Sequence, residues 1–295
     1  MTTTLAGPPQ PGVHRTQPFG ERLRDAMDRH GPVCAGLDPH SSLLGAWGLP
    51  DTVHGLEAFA AACVEAFGGQ VAAVKPQSAF FERFGAAGVG VLERTLAAFR
   101  AAGTLTILDV KRGDIGSTMA AYAQAYLGTD APMRADAITA SPYLGYAALR
   151  PALDLAASTG RGVFVLALTS NPEGATVQHA LHQGRSVAGS VVDGAAADNA
   201  GAERMGSIGL VVGATVGTAV TDLGLDLAAV RGPLLAPGVG AQGATARDLR
   251  AVFGAALPCV LASSSREILR SGPSVPALSA AARRSADEVA DLLRP

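Results

Sequence analysis

Eight short apolar runs recur along the chain, and longer stretches with apolar residues at helical spacing separate them. Short apolar runs bounded by turn residues are typical of strands buried in a parallel sheet, whereas the longer stretches predict amphipathic helices. The predicted strands are Val33–Leu37, Val71–Val74, Leu105–Leu108, Ala135–Thr139, Val163–Leu168, Ile208–Val212, Leu234–Ala236 and Cys259–Ala262. Eight strand-and-helix units in 295 residues predict a single (β/α)8 TIM barrel, a fold of the α/β class.

The stretches between these runs predict the outer helices and one long connection. Helices are expected over residues 52–67, 89–101, 186–200, 245–253 and 277–293. Residues 1–17 are rich in Thr, Pro and Gly and predict a flexible leader, whereas residues 18–295 predict one barrel domain that begins with a helix over Phe19–Arg29. The stretch from Asn171 to Met205 is longer than a usual barrel connection, so a mobile loop is expected ahead of its helix.

Composition narrows the class of protein and its location. The net charge of −2 provides no positive field for nucleic acid, and no run of about 18 apolar residues indicates a membrane span. The three cysteines, Cys34, Cys63 and Cys259, lie in apolar stretches without zinc-site spacing, which favours small buried hydrophobic residues in a reducing compartment. We therefore predict a cytoplasmic protein that binds neither nucleic acid nor membrane.

Polar side chains follow most of the predicted strands at the point where each strand ends. Because the carboxyl ends of barrel strands meet at one rim, where barrel enzymes carry their active sites, these side chains are predicted to converge. In chain order they are Asp38, Lys75, Asp109 with Lys111, Thr169 with Ser170, the segment Pro237–Gly243, and Arg266.

The segment Asp109-Val-Lys111-Arg-Gly-Asp114 places two acids and a lysine at the end of a buried strand. Asp109 and Lys111 are two residues apart and would share one face of the strand, while the Gly113 turn would carry Asp114 elsewhere. Burying unpaired charge is costly, so the segment is either a catalytic cluster or a strand-end ion pair. A lysine kept charged by carboxylates is a poor Schiff-base nucleophile but a good general acid, which favours proton donation to a carbanion.

The seventh and eighth strand endings predict a phosphate site. The segment Pro237-Gly-Val-Gly-Ala-Gln242-Gly243 offers backbone N–H groups and an amide, and the Arg266 guanidinium can hold two phosphate oxygens. Barrels often bind phosphate at the loops after strands seven and eight. The alternative is that the glycines only permit a tight turn.

Together these motifs resemble those of the orotidine 5′-phosphate decarboxylase family. The likeness covers about residues 20–290 and is carried by Asp109-x-Lys111-x-x-Asp114-Ile115 with Thr118, Asp38-Pro, Lys75-Pro-Gln, Thr169-Ser170-Asn171-Pro and the Pro237–Gly243 loop. The forms at Lys75 and Thr169 resemble the longer bacterial branch. The resemblance implies an enzyme that converts orotidine 5′-phosphate into UMP and CO₂ in pyrimidine biosynthesis, with no metal and no organic cofactor.

The resemblance also implies roles for individual residues. Lys111 would protonate C6 after CO₂ leaves, and Asp109 would lie against the departing carboxylate. Asp38 and Lys75 would contact the ribose hydroxyls and join the charge network.

The remaining implied contacts involve the substrate's periphery and a second chain. A homodimer with shared active sites is implied, in which Asp114 reaches across the interface together with Thr118. The other implied substrate-binding residues are Ile115 beside Asp114, Ser170 at the pyrimidine edge, and Pro237, Gln242, Gly243 and Arg266 around the 5′-phosphate.

The chain departs from the family pattern in a few places away from the implied catalytic residues. Ala140-Ser141 after the fourth run is not the expected pair, and Ser78 replaces an expected apolar residue. The eighth ending, Ser263-Ser-Ser265, is rich in serine where compact relatives carry glycine before the arginine.

Two other functions remain open from the sequence. Mg²⁺-dependent sugar-phosphate decarboxylases and aldolases share the Asp-x-Lys-x-x-Asp motif but carry an extra acid, where this chain has Ile107. A non-catalytic barrel that only senses a nucleotide would lack the proton donor, whereas Lys111 is present.

Overall fold

A computed structural model describes residues 17–239 and 243–294, and its eight parallel strands close into a barrel. Both neighbours of the first strand pair with it in parallel, Cys34 lying opposite Ala73 on one side and Val33 opposite Ala262 on the other. The strands are β1 Val33–Leu37, β2 Ala73–Pro76, β3 Leu105–Arg112, β4 Ala137–Ala140, β5 Gly162–Leu168, β6 Ile208–Val212, β7 Leu234–Pro237 and β8 Val260–Ser264. The predicted fold class and all eight predicted strands are confirmed.

Strand β3 differs most from its predicted bounds, because it runs four residues past Leu108 to Arg112. Its pairing with β4 shifts register between Leu108 and Arg112, which is a β-bulge at the rim of the barrel. The apolar pattern could not reveal this extension, since the added residues include the charged side chains Asp109 and Lys111.

Helices follow the strands on the outside of the barrel. The α-helices are Phe19–His30, Ser41–Ala46, Val53–Phe67, Ser78–Glu82, Gly85–Ala101, Gly116–Leu127, Arg150–Thr159, Ala175–Gln178, Val187–Asp198, Ala219–Asp222, Ala246–Phe253, Arg266–Leu269 and Val275–Leu292. Short 3₁₀ turns occur at Tyr146–Leu149, Pro172–Gly174 and Gly254–Cys259. Within the described ranges, none of these helices is long and apolar enough to cross a membrane.

The first helix, Phe19–His30, covers the amino-terminal end of the barrel. Phe19 and Leu23 are fully buried and pack with barrel residues such as Phe164, whose ring meets that of Phe19 edge-on at 5.9 Å. This apolar layer closes the end of the barrel that lies away from the predicted site. The predicted leader lies outside the described residues, except for Gln17.

The long connection after β5 contains more regular structure than the predicted loop. It forms the 3₁₀ turn, the short helix Ala175–Gln178 and a small hairpin of Leu181–His182 with Arg185–Ser186. The Gln178 amide oxygen accepts from Thr169 N at 2.9 Å, and its nitrogen donates to Thr169 Oγ1 at 2.7 Å. These two bonds tie the connection back to the end of β5.

Candidate active site

A cavity of about 630 Å³ opens at the carboxyl ends of the barrel strands. Residues at or near the carboxyl ends of all eight strands line it; Thr139 comes from β4 and Thr169 directly follows β5, whereas β6 contributes the apolar side chain of Val211. The charged and hydroxyl side chains that line the cavity are Asp38, Lys75, Asp109, Lys111, Thr139, Thr169, Ser263, Ser264, Ser265, Arg266, Glu267 and Arg270. The strand-end convergence predicted from the sequence is therefore present.

Asp109 lies at the centre of the charged groups in this cavity. Its Oδ2 accepts a bond from Lys75 Nζ at 2.9 Å, and its Oδ1 accepts from Lys111 Nζ at 2.6 Å and from Thr139 Oγ1 at 2.8 Å. The Gln77 amide lies beside the same carboxylate, 2.7 Å from Oδ2 with its nitrogen facing it. Both carboxylate oxygens are thus held by donors from β2, β3 and β4.

Burial and charge act in opposite directions on this cluster. Burial alone would raise the pKa of Asp109, but the ammonium groups of Lys75 and Lys111 outweigh it and leave this pKa below its usual range. Burial likewise would lower the pKa of Lys75, but the carboxylates of Asp109 and Asp38 raise it above its usual range. Asp109 therefore stays ionised and Lys75 stays protonated at neutral pH.

Lys111 reaches Asp109 through an unusual backbone conformation. Its φ is 45°, in the left-handed region that costs a non-glycine residue about 1–3 kcal/mol. Its amide donates to Thr139 Oγ1 at 2.9 Å, so the same threonine fixes both the Lys111 backbone and the Asp109 carboxylate. Strand alternation correctly predicted that Asp109 and Lys111 lie close together. The left-handed backbone at Lys111, within the irregular end of β3, is what allows their side chains to meet.

Asp38 occupies a separate position at the end of β1. Its Oδ2 accepts a bond of 2.6 Å from Ser265 Oγ, whereas its Oδ1 is buried with no hydrogen-bond partner among the described residues. Asp38 raises the pKa of Lys75 through space, but no ion pair within 4.0 Å joins the two groups. In the charge network that the resemblance implies, Asp109 therefore bonds directly to Lys75 and Lys111, whereas Asp38 acts on Lys75 only through space.

The same cavity carries groups predicted to bind phosphate. Pro237, Gly243 and Arg266 all line it, and Arg266 begins the short helix Arg266–Leu269. Gln242, the remaining predicted phosphate residue, lies outside the described residues. Across residues 17–239 and 243–294, no three His, Cys, Asp or Glu side chains form a group that could hold a metal ion.

Comparison with known proteins identifies the family. Residues 31–281 match the sequence profile of the orotidine 5′-phosphate decarboxylase / HUMPS family. The chain belongs to this family.

Relatives and solved structures from this family cover nearly the whole chain. An orotidine 5′-phosphate decarboxylase of Salinispora arenicola is 62% identical over 267 residues, spanning 90% of this chain and 95% of the relative. One from Streptomyces coelicolor is 59% identical and spans 92% and 97%. A crystal structure from Streptomyces avermitilis assigned to the same enzyme superposes with a TM-score of 0.90 at 57% identity, covering 94% of this chain and 96% of the other.

Four residues that the family resemblance assigned to the site do not line the cavity of this single chain. Asp114 accepts a bond from the Ile115 amide at 2.8 Å, and Ile115 is 61% exposed. Thr118 is exposed on the following helix, and Ser170 is exposed at the end of β5 beside the cavity-lining Thr169. The first three therefore lie outside the lining of their own chain's cavity.

Sequence reasoning missed several groups that the orotidine 5′-phosphate decarboxylase fold places in the cavity. Thr139 ends the fourth apolar run, so the rule applied to other strand ends would have found it. His40, whose Nδ1 accepts from the Leu43 amide at 3.2 Å, also lines the cavity. The amino-acid composition offered a further signal for the site, because the sequence contains only two lysines, Lys75 and Lys111. In the structure, both of them form ion pairs with Asp109.

Proposed function

We propose that this chain decarboxylates orotidine 5′-phosphate to UMP and CO₂ in pyrimidine biosynthesis, with Lys111 as proton donor and without a metal. Relatives named for this activity at 62% and 59% identity support the overall reaction. The observation that carries the mechanism is the Asp109 carboxylate, held at 2.9 Å by Lys75 and at 2.6 Å by Lys111 inside the cavity.

The chemistry follows from fixed charges beside the substrate's carboxylate. Two like charges about 4 Å apart repel by about 4 kcal/mol at an effective dielectric near 20, so Asp109 favours loss of CO₂. The C6–carboxylate bond breaks and its electron pair stays on C6. Lys111, whose side chain is 46% exposed to the cavity, then passes a proton from Nζ to C6 and regains one from water.

Remote groups would supply the binding energy. Asp38 and Lys75 hold the ribose hydroxyls, and Ser170 contacts the pyrimidine edge. Pro237, Gly243 and Arg266 surround the 5′-phosphate together with Gln242. The phosphate does not react, but its binding energy helps to position the pyrimidine ring that loses CO₂. The 171–185 stretch is proposed to close over the substrate. The 238–243 loop is the second segment expected to do so, and its residues 240–242 lie outside the described residues.

A homodimer with shared sites completes the proposal. Asp114, Ile115 and Thr118 would enter the partner's cavity, because they do not line their own and Ile115 is exposed. Exposed apolar side chains at Tyr143 and Leu144, beyond β4, support an interface on this side of the barrel. We place the enzyme in the cytoplasm, where its three free cysteines, two of them buried, would stay reduced.

An absorbance assay with orotidine 5′-phosphate in the presence of EDTA tests the proposal. We expect turnover that EDTA leaves unchanged. Loss of turnover that Mg²⁺ restores would favour the metal-dependent sugar-phosphate enzymes, and stoichiometric UMP binding without CO₂ release would favour a nucleotide sensor.

A further inference from the structure

Ser265 connects the phosphate side of the cavity to the charged cluster. Its Oγ donates to Asp38 Oδ2 at 2.6 Å, and the next residue along the chain is Arg266. Asp38 directly follows β1 and Ser265 directly follows β8, and these neighbouring strands pair with Ala35 opposite Ser264. The bond therefore spans 227 positions in sequence and closes the barrel at its catalytic rim.

The fold makes room for this contact. A methyl group on Gly36 would lie 2.7 Å from Ser265 Cβ, which is closer than real side chains approach. Glycine at this position of β1 thus allows the eighth strand ending to come close enough for the hydroxyl to reach Asp38.

The Asp38 carboxylate depends on the Ser265 hydroxyl for its hydrogen bonding. Among the described residues, Ser265 supplies the one hydrogen bond to the carboxylate, since Oδ1 is buried without a partner. Without the hydroxyl neither oxygen would have a donor, and a poorly solvated carboxylate would turn toward the nearby Lys75 ammonium. Lys75 is already bonded to Asp109, so this movement would disturb the cluster as well as Asp38.

We propose that Ser265 is a positioning residue, which fixes the Asp38 carboxylate for the ribose hydroxyls and ties it to the segment that binds phosphate. This inference rests on the proposed function, which assigns Asp38 to the ribose.

The test compares Ser265→Ala with the wild-type chain in turnover and in binding. We expect kcat/KM for orotidine 5′-phosphate to fall about 10- to 100-fold, as for loss of a hydrogen bond to a charged group. UMP affinity should fall by a similar factor, whereas affinity for 2′,3′-dideoxyuridine 5′-monophosphate should change less than about twofold. A merely structural role would weaken both nucleotides alike.

A second variant shows whether Ser265 acts through Asp38. In the Asp38→Ala background, Ser265→Ala should cost less than about twofold in kcat/KM, because residues acting as one unit are not additive. Equal costs in the two backgrounds would overturn the inference, as would a Ser265→Ala enzyme within twofold of wild type.

Controls separate this inference from folding and from the proposed function. Ser274→Ala removes an exposed hydroxyl that makes no capping bond, and it should leave turnover and the unfolding midpoint unchanged. If Ser265→Ala unfolds, Ser265→Gly, which also removes the hydroxyl, takes its place in the same assays. A wild-type chain that releases no CO₂ would refute the proposed function, whereas the UMP and dideoxy-UMP titrations would still decide the role of Ser265.

Discussion

Single residues in this protein are held in place by competing charges rather than by burial alone. Asp109 is almost completely buried and ionised because two ammonium groups and a hydroxyl bond to it. The use of lysine here has a chemical reason, since an arginine keeps its proton under all ordinary conditions and cannot act as an acid.

Lys111→Ala should retain UMP binding but lose decarboxylation by several orders of magnitude, because the proton donor and one network charge disappear together. CO₂ release and UMP titration measure the two effects. Lys111→Arg is the matched control, as it keeps a positive charge but cannot donate the proton. Activity within tenfold of wild type in either variant would exclude Lys111 as the proton donor.

Arg266→Ala should weaken UMP about 10- to 100-fold and leave uridine almost unaffected, because the lost bonds are charge-assisted bonds to phosphate. Calorimetric titration with both ligands measures the difference. Arg283→Ala, on an exposed helix face, serves as the control. Equal weakening of UMP and uridine would place the phosphate elsewhere.

The charged cluster should remain intact over a wide pH range. The lowered pKa of Asp109 gives stability that is present above its ordinary value of 3.8 and is lost as pH falls through the lowered value. The raised pKa of Lys75 gives stability that is complete below its ordinary value of 10.5 and is lost as pH rises through the raised value.

Urea unfolding of the wild type and Asp109→Asn across pH checks this expectation. The difference between their free energies of unfolding should be constant from about pH 5 to pH 9 and should change in acid, below 3.8, and again in alkali, above 10.5, where Lys75 loses its proton. A difference that titrates near neutral pH would contradict the assigned charges.

At the scale of elements, the strand ends and the first helix lie at opposite ends of the barrel and differ in polarity. The strand ends carry the chemistry, whereas the helix Phe19–His30 seals the other end with apolar side chains. This helix packs very closely against the barrel at Gly20, where an added methyl would lie 2.2 Å from the carbonyl oxygens of Met205 and Gly206.

Gly20→Ala should therefore lower the free energy of unfolding by about 1–3 kcal/mol through overpacking. Its matched control is Gly45→Ala, also in a helix, where nothing lies within 4 Å of the added methyl. Gly45→Ala should raise the free energy of unfolding by about 0.5–1 kcal/mol, because alanine favours the helix more than glycine does. Urea denaturation distinguishes the two, and equal shifts would show that the contact at Gly20 is not tight.

At the scale of the whole molecule, the segment that contains Asp114 is the part of the proposed site that does not line the chain's own cavity. Asp114, Ile115 and Thr118 lie outside the chain's own cavity, so the proposed enzyme needs a second copy. A symmetric dimer would exchange these segments in both directions.

Mixing inactive Asp109→Ala and Asp114→Ala chains tests this exchange. Half of randomly formed dimers would be hybrids, each with one site that retains both aspartates, so about a quarter of wild-type activity should return. Each variant alone, refolded by the same procedure, is the control. No recovery despite subunit exchange would show that Asp114 acts within its own chain or not at all.

Much of the fold and part of the site follow from local sequence pattern. The eight apolar runs predicted the eight strands, because hydrophobic periodicity is a property of neighbouring residues. Polar residues just past those runs predicted Asp38, Lys75 and Arg266 at the cavity, since all parallel strand ends meet at one rim.

Only tertiary structure decided which of these groups touch. The left-handed turn at Lys111, the Thr139 hydroxyl that fixes it, and the Ser265 bond to Asp38 depend on strand register and barrel closure. Such contacts join residues far apart in sequence, and their geometry is set by packing of the whole barrel. Sequence by itself therefore determined the strands and the chemistry available at their ends, whereas the closed barrel determined the partners of each charge.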